Sequence, residues 1–235
     1  LQVLRLRSSL KIPKVSSCYF LPRYITHYMR FGAWGNQQLR NLIWKYIIAS
    51  LNRYDQVIFS TRSQAQEFLD HGLRVPQTVI SNGVDTTRYH QRNGAWGEIE
   101  NRYHLPPGPR ILFVGRLMKD KRIDLLAHLL VVGRGSEQPE LEQLRDSLGL
   151  QERVHLLGFV PEEDLPGLYR ASDLFAIASI CEVQSIPALQ AAATGLPMAA
   201  VDAAALPELV QHGLNGYLVP PENPQALGQA ILEIL

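Results

Sequence analysis

Past residue 108 the chain alternates short apolar runs with amphipathic segments, and that alternation limits its fold more than any other feature. The runs are Arg110–Val114, Val131–Gly133, Arg153–Leu157, Leu174–Ala178, Pro197–Val201 and Gly216–Val219. Helix-forming stretches stand between them at Glu140–Leu148, Asp164–Arg170, Ile186–Ala193 and Leu206–His212. A last helix is expected from Asn223 to Leu235, with Pro224 in its first turn. Strands that alternate with helices form parallel, doubly wound α/β sheets.

The amino-terminal part follows the same grammar less completely. Gln2–Leu6 and Lys14–Ser17 read as short strands, Leu39–Leu51 as a well-packed helix, and Gln56–Ser60 as a buried strand. A helix from Ser63 stops at Gly72, and a strand at Thr78–Ile80 ends in the turn signal Asn82-Gly83. The polar stretch 92–108, closed by Pro106-Pro107-Gly108, is expected to link a domain over 1–91 to one over 109–235. The first of these is expected to be incomplete and the second truncated at its carboxyl end. Two joints look too short: a helix over Arg122–Leu130 would run straight into a strand at Val131, and Leu10–Val15 leaves no room for a crossover. Residues missing at both joints are the expectation.

Charge is distributed unevenly. Residues 1–54 hold nine of the 23 Lys and Arg and none of the 22 Asp and Glu, leaving 14 basic and 22 acidic residues in the rest. Tyr24, Tyr28, Phe31, Trp34, Trp44 and Tyr46 interleave with Arg23, Arg30, Arg40 and Lys45. Such a segment suits peripheral contact with an anionic membrane or a packed face with solvated arginines. No nucleic-acid-binding module is recognisable. Cys18 and Cys181 lack metal-ligand spacing and read as reduced thiols in a cytoplasmic protein, placed at the inner face of a membrane if the basic opening binds lipid.

One series of motifs carries chemistry. It comprises Val79-Ile80-Ser81-Asn82-Gly83-Val84-Asp85, Phe113-Val114-Gly115-Arg116-Leu117 with Lys121, and Val132-Gly133-Arg134-Gly135. Then come Leu157-Gly158-Phe159-Val160, Leu168 through Asp173, Glu182 through Pro197, and Leu206-Pro207-Glu208-Leu209-Val210 with Gly213, Asn215 and Gly216. In this order, from about Gln56 to Leu235, the series resembles the family 4, or group 1, retaining glycosyltransferases.

The resemblance implies the GT-B architecture, in which two Rossmann-like domains face each other across a cleft where donor and acceptor meet. It implies a nucleotide-diphosphate sugar as donor, transfer of a hexose with retention, and no metal or other cofactor. The acceptor stays open between a lipid and a glycan. Arg116 and Lys121 would meet the charge that grows on the leaving diphosphate. Glu182 would touch the donor sugar, and the Phe159-Val160 backbone the base edge. Gly115, Gly133 and Gly135 would let backbone approach the donor closely, although tight turns alone also call for glycine.

Two positions depart from the family pattern. The second Glu of its E-x7-E motif, which binds the ribose, falls on Gln190, which accepts hydrogen bonds without charge assistance. The active-site His of the amino-side loop falls on Tyr19, three residues before Pro22. Tyr19 can donate a hydrogen bond but cannot hold positive charge. His27 lies beyond Pro22 and does not fit the motif. These departures leave a second reading open, a catalytically impaired nucleotide-sugar-binding or interaction protein.

Overall fold

The computed structural model describes residues 12–22, 33–90, 97–115 and 128–235, with side chains from residue 37 in the second segment. They fall into two compact units that divide between Asn82 and Gly83.

In the first unit, β1 (Val15–Cys18), β2 (Gln56–Phe59) and β3 (Gln77–Val79) form a parallel sheet in the order β1-β2-β3. Helix α1 (Ala33–Leu51) connects β1 to β2, and α2 (Arg62–Asp70) connects β2 to β3. The start of α2 is set by Thr61, whose side chain accepts from the Gln64 amide. Trp44 of α1 is buried, edge-on to Phe68 and stacked on His71. It therefore belongs to the core rather than to an aromatic membrane belt. Leu42, Lys45 and Tyr46 of the same helix are exposed. Tyr24, Tyr28, Phe31, Arg23, Arg30 and the Trp34 side chain lie outside the described residues, as do Gln2–Leu6 and His27.

In the second unit six parallel strands stand in the order β6-β5-β4-β7-β8-β9. They are β4 (Arg110–Val114), β5 (His128–Val132), β6 (Val154–Gly158), β7 (Leu174–Ile177), β8 (Met198–Val201) and β9 (Gly216–Val219). The connecting helices are α4 (Gln138–Ser147), α5 (Leu165–Arg170) and α6 (Ile186–Ala193), and α7 (Pro224–Ile234) closes the chain. β7 and β8 are buried at every position, as central parallel strands covered on both faces must be. β6, at the sheet edge, is half-buried throughout. Ser185 caps α6 and Asn223 caps α7, each accepting a backbone N–H three residues on. The helix expected over Leu206–His212 shrinks to a 3-10 turn, Leu206–Glu208. Asn215 explains the stop, since its Oδ1 accepts from the Gln211 amide and its Nδ2 donates to the Leu209 carbonyl.

The suspect joint does not fall at Leu130–Val131, because the strand begins earlier, at His128. Leu130 and Val131 are successive residues inside β5, paired with Leu112 and Phe113 of β4. Both are buried, so Leu129 and Leu130 are core strand residues rather than the end of a helix. An apolar run cannot by periodicity distinguish a buried helix end from a buried strand. The other suspect joint, Leu10–Val15, lies largely outside the described residues.

The stretch 97–108 is tied to the second unit. Helix α3 (Gly97–Arg102) lays Ile99 against Gly167 so closely that a Cβ there would strike the isoleucine. Tyr103 and Leu105 pack on the same core. Asp164, at the start of α5, accepts from the Tyr103 hydroxyl and from Arg102, both at 2.6 Å. The Tyr103 hydrogen bond and the Arg102 guanidinium together hold the Asp164 carboxyl below its usual range. Burial, with Asp164 beside it, pushes the Tyr103 phenol up to about 12.

A depressed carboxyl pKa stabilises the fold above the unfolded value and loses that contribution as pH falls through the folded one. Melting temperature is therefore expected to decline below about pH 4, the unfolded Asp value. Asp164→Ala should flatten this decline and cost about 1.5–3 kcal/mol near neutrality, the range for a hydrogen bond to a charged group. Parent and variant denaturation curves that differ by the same amount at pH 3 and pH 7 would refute this role.

Candidate functional site

The order β6-β5-β4-β7-β8-β9 has a consequence for ligands. The chain starts at the centre of the sheet, runs outward through β5 and β6, then returns to place β7 on the other side of β4. This is the 3-2-1-4-5-6 order of doubly wound sheets, and ligands of such sheets bind beyond the strand carboxyl ends where the order reverses. In this unit that point lies over β4 and β7. The segments that leave it begin at Gly115 after β4 and at Ala178 after β7.

Beside that point, the ends of β4, β5 and β6 interlock. The Gly115 amide donates to the Val132 carbonyl at 3.0 Å, and the Gly133 amide donates to the Gly158 carbonyl at 2.8 Å. Gly133 has φ +135°, and a Cβ on it would run into the Gly115 carbonyl. Gly158 has φ +68°. The glycine at 133 thus serves backbone-to-backbone approach within the rim itself, while a Cβ on Gly115 would press on the Phe113 ring. Gly135 is exposed in the loop to α4, and its carbonyl accepts from the Gln138 amide.

Beside this rim stands a pair that the sequence reading passed over. The Arg134 guanidinium carbon lies 5.9 Å from the centre of the Phe159 ring, within cation–π range. Arg134 is exposed and Phe159 is 65% exposed, so a large aromatic face and a cation are both open to solvent. Val160, the next residue, is buried in the core, so the two members of the Phe159-Val160 pair differ. The signal was present as a charged residue between two glycines, one strand away from an aromatic after a glycine.

The return segment supplies the other side. Glu182 is half-buried in the loop between β7 and α6. Gln190 is buried one turn into α6, and its Oε1 accepts from the Tyr169 hydroxyl at 3.0 Å. Ser179, just past β7, is fully buried, and its hydroxyl has no hydrogen-bond partner among the described residues. A hydroxyl directly after an apolar strand was the only sequence cue to Ser179. Arg116 and Lys121, which follow Gly115 in the chain, lie outside the described residues. The structure therefore brings Gly115, Gly133, Phe159, Glu182 and Gln190 to one end of one sheet.

Tyr19 belongs to the first unit, where it follows β1 and is 64% exposed. The loop that carries it is fixed from below by Gln64. Its Nε2 donates to the Cys18 and Phe20 carbonyls at 3.1 and 3.3 Å, while its Oε1 accepts from Ser60. Gln64 is 1% exposed, with both ends of its amide used. Burial raises the neighbouring Cys18 thiol above its ordinary pKa, so it is a poor nucleophile. Among the described residues, no three His, Cys, Asp or Glu side chains are grouped to hold a metal. A cavity of about 250 Å³ lined by Tyr169, Asp173 and Thr194 opens before β7 and β8, at the opposite edge of the sheet from the glycine rim.

Comparison with known proteins decides the family. The model of "Glycosyl transferases group 1" matches residues 108–235, and that of "Glycosyltransferase Family 4" matches residues 1–88. The chain belongs to the group 1, or family 4, glycosyltransferases. The D-inositol 3-phosphate glycosyltransferase of Nocardia farcinica is 33% identical to this chain, over 74% of the chain and 43% of its own length. A GDP-mannose-dependent phosphatidylinositol monomannoside mannosyltransferase of Mycobacterium tuberculosis is 29% identical over 65% of the chain and 45% of its own. Among solved structures, Anabaena Alr3699/HepE in complex with UDP and glucose aligns with a TM-score of 0.79 and 26% identity, covering 95% of this chain and 62% of that one. The chain spans less than half the length of these curated relatives. Its fold is the α/β GT-B fold over part of the length of such enzymes.

Among the described residues, no helix is long and apolar enough to cross a membrane.

Proposed function

We propose that the second unit binds the nucleotide-diphosphate sugar of a hexosyltransferase that works with retention of configuration. The glycine rim that borders the point where strand order reverses carries this reading. It offers close backbone approach to a diphosphate, with Phe159 and Arg134 beside it as an aromatic face and a cation. Arg116 and Lys121 then supply charge to the leaving diphosphate, and Glu182 orients the sugar. The UDP of the Anabaena structure and the GDP-mannose of the mycobacterial relative support a nucleotide donor without choosing its base. The acid-free opening, with Lys45, Tyr46 and Leu42 exposed on α1, favours an acceptor held at an anionic membrane, each basic residue near the surface contributing ~1 kcal/mol.

A second reading follows from Tyr19 and Gln190: the chain binds the donor and does not transfer its sugar. A thermal-shift panel of UDP-, GDP- and ADP-sugars, followed by turnover assays, separates these readings. A ligand at one hundred times its Kd stabilises by about 2.7 kcal/mol, which is roughly 5–10 °C for a chain of this size. One donor class should produce that shift, and sugar transfer should run faster to an acceptor on anionic vesicles than to the same acceptor in solution. A panel in which no nucleotide moves the melting temperature would sink both readings. Binding without transfer to any acceptor would leave the second.

A further inference from the structure

At the opposite edge of the second unit from the glycine rim, two histidines meet. His128 opens β5, and His155 is the second residue of β6. His155 pairs with Leu130, two residues on from His128, so both imidazoles leave the same face of the sheet. His128 Nδ1 lies 3.2 Å from His155 Nε2. The ring centres are 5.5 Å apart, the length of that gap plus a ring radius on each side, so both nitrogens lie close to the line between the centres. Such an end-on contact suits a shared proton. It does not turn both lone pairs toward a third atom, as a metal chelate would.

The number of protons decides whether this contact attracts. With none added, one imidazole donates and the other accepts, whichever tautomer each adopts. One added proton keeps the bond and makes it charge-assisted. A second makes donors of both nitrogens, so two N–H groups and two positive charges face each other.

The surroundings sharpen this limit. Both histidines are half-buried. Burial is the largest cause that holds the His155 imidazole below its usual range, followed by His128, with Glu152 opposing and Arg145 of α4 adding least. Arg110 pairs with His128 across β4, and Arg153 precedes β6. The carboxylates on these elements are already engaged, Glu100 and Asp173 by Arg110 and Asp146 by Arg145, while Glu152 is exposed. β6 is an edge strand bound only to β5, so its release is among the least costly openings of the sheet. The same strand pair carries the Gly133–Gly158 bond of the rim at its far end.

We propose that the His128–His155 contact is a pH-sensitive latch between β5 and β6, which holds the edge strand until both rings are charged and then releases it. The latch does not depend on whether the unit binds a nucleotide. Its sign follows from the folded His155 value lying below the unfolded one, about 6.5. The contribution to stability is complete above about pH 6.5 and is lost as pH falls through the folded value. That window lies above the one set by Asp164.

The test is urea denaturation of the full chain at about pH 7.5 and about pH 5.5, on either side of the ordinary histidine value. His128→Asn and His155→Gln each place an amide near the replaced nitrogen and cannot titrate. For each proton that the native state binds less than the unfolded one, the unfolding constant rises about ten-fold per pH unit. The ratio of unfolding constants, parent over either variant, should therefore rise about ten-fold from the higher pH to the lower. Amide exchange at Leu129 and Gly133, whose N–H groups donate across the strand pair to Arg153 and Gly158, should follow the same change when parent and variant are compared at one pH. In an NMR titration the two parent imidazoles should lose their protons in coupled steps, and the remaining one of each variant in a single step. A ratio that stays constant with pH, or two parent imidazoles that titrate independently, overturns the proposal. Should neither variant fold, the parent titration decides alone: coupled steps support the latch and independent steps overturn it.

Discussion

Gly133→Ala is expected to destabilise the second unit by about 3 kcal/mol or more. A side chain at φ +135° costs about 1–3 kcal/mol in backbone strain. The new Cβ would also press on the Gly115 carbonyl, which is backbone and cannot swing aside, and forcing atoms into filled space costs about 1–3 kcal/mol more. Gly149→Ala is the control: φ is +67°, but nothing lies near its Cβ, so only the conformational penalty of about 1–2 kcal/mol applies. Urea denaturation of the three proteins measures both. A Gly133→Ala midpoint no lower than that of Gly149→Ala would mean that the β4–β5 rim does not meet as described. Because the rim is the proposed approach to the diphosphate, nucleotide affinity should fall with Gly133→Ala even where the folded fraction is complete.

The other large effect concerns turnover. Arg116→Ala and Lys121→Ala should each lower the rate of sugar transfer by about 10²–10³-fold, equivalent to about 2.7–4 kcal/mol of lost stabilisation of developing charge. The reason is chemical: in the reaction proposed above these two cations meet the charge that grows on the leaving diphosphate. Both positions follow Gly115, the residue that leaves β4 at the reversal of strand order. The loss of turnover should far exceed any change in folding stability. Transfer rates within a factor of three of the parent, at saturating donor, would remove both residues from the chemistry. If the chain binds donor without transferring it, the same substitutions should appear instead as lost nucleotide-diphosphate affinity.

The contrast between Trp44 and Tyr46 shows how far a residue pattern can be read. Both belong to an aromatic, basic, acid-free stretch, and both could equally have faced a membrane. Only the packing of α1 on Phe68 and His71 places Trp44 inside and leaves Tyr46 out. Leu129 and Leu130 carry the same lesson in the second unit. They fit the end of a helix as well as the start of a strand until pairing with β4 and β6 fixes them.

By itself the sequence determined the class of sheet, the approximate strands, and the glycines and charged residues of the motif series. Central parallel strands are buried on both faces and so must be written as apolar runs, and strand ends that approach one another closely must be glycine. Those are local requirements, and local requirements leave marks in a sequence. Tertiary structure alone decided that Gly133 abuts Gly115, that Arg134 stands over Phe159, that Gln64 pins the loop of Tyr19, and that the Tyr169 hydroxyl meets the Gln190 amide. Each of these contacts joins different elements. Which atoms meet depends on strand order, register and the rotation of a helix about its axis, and none of these is a property of either partner's own segment.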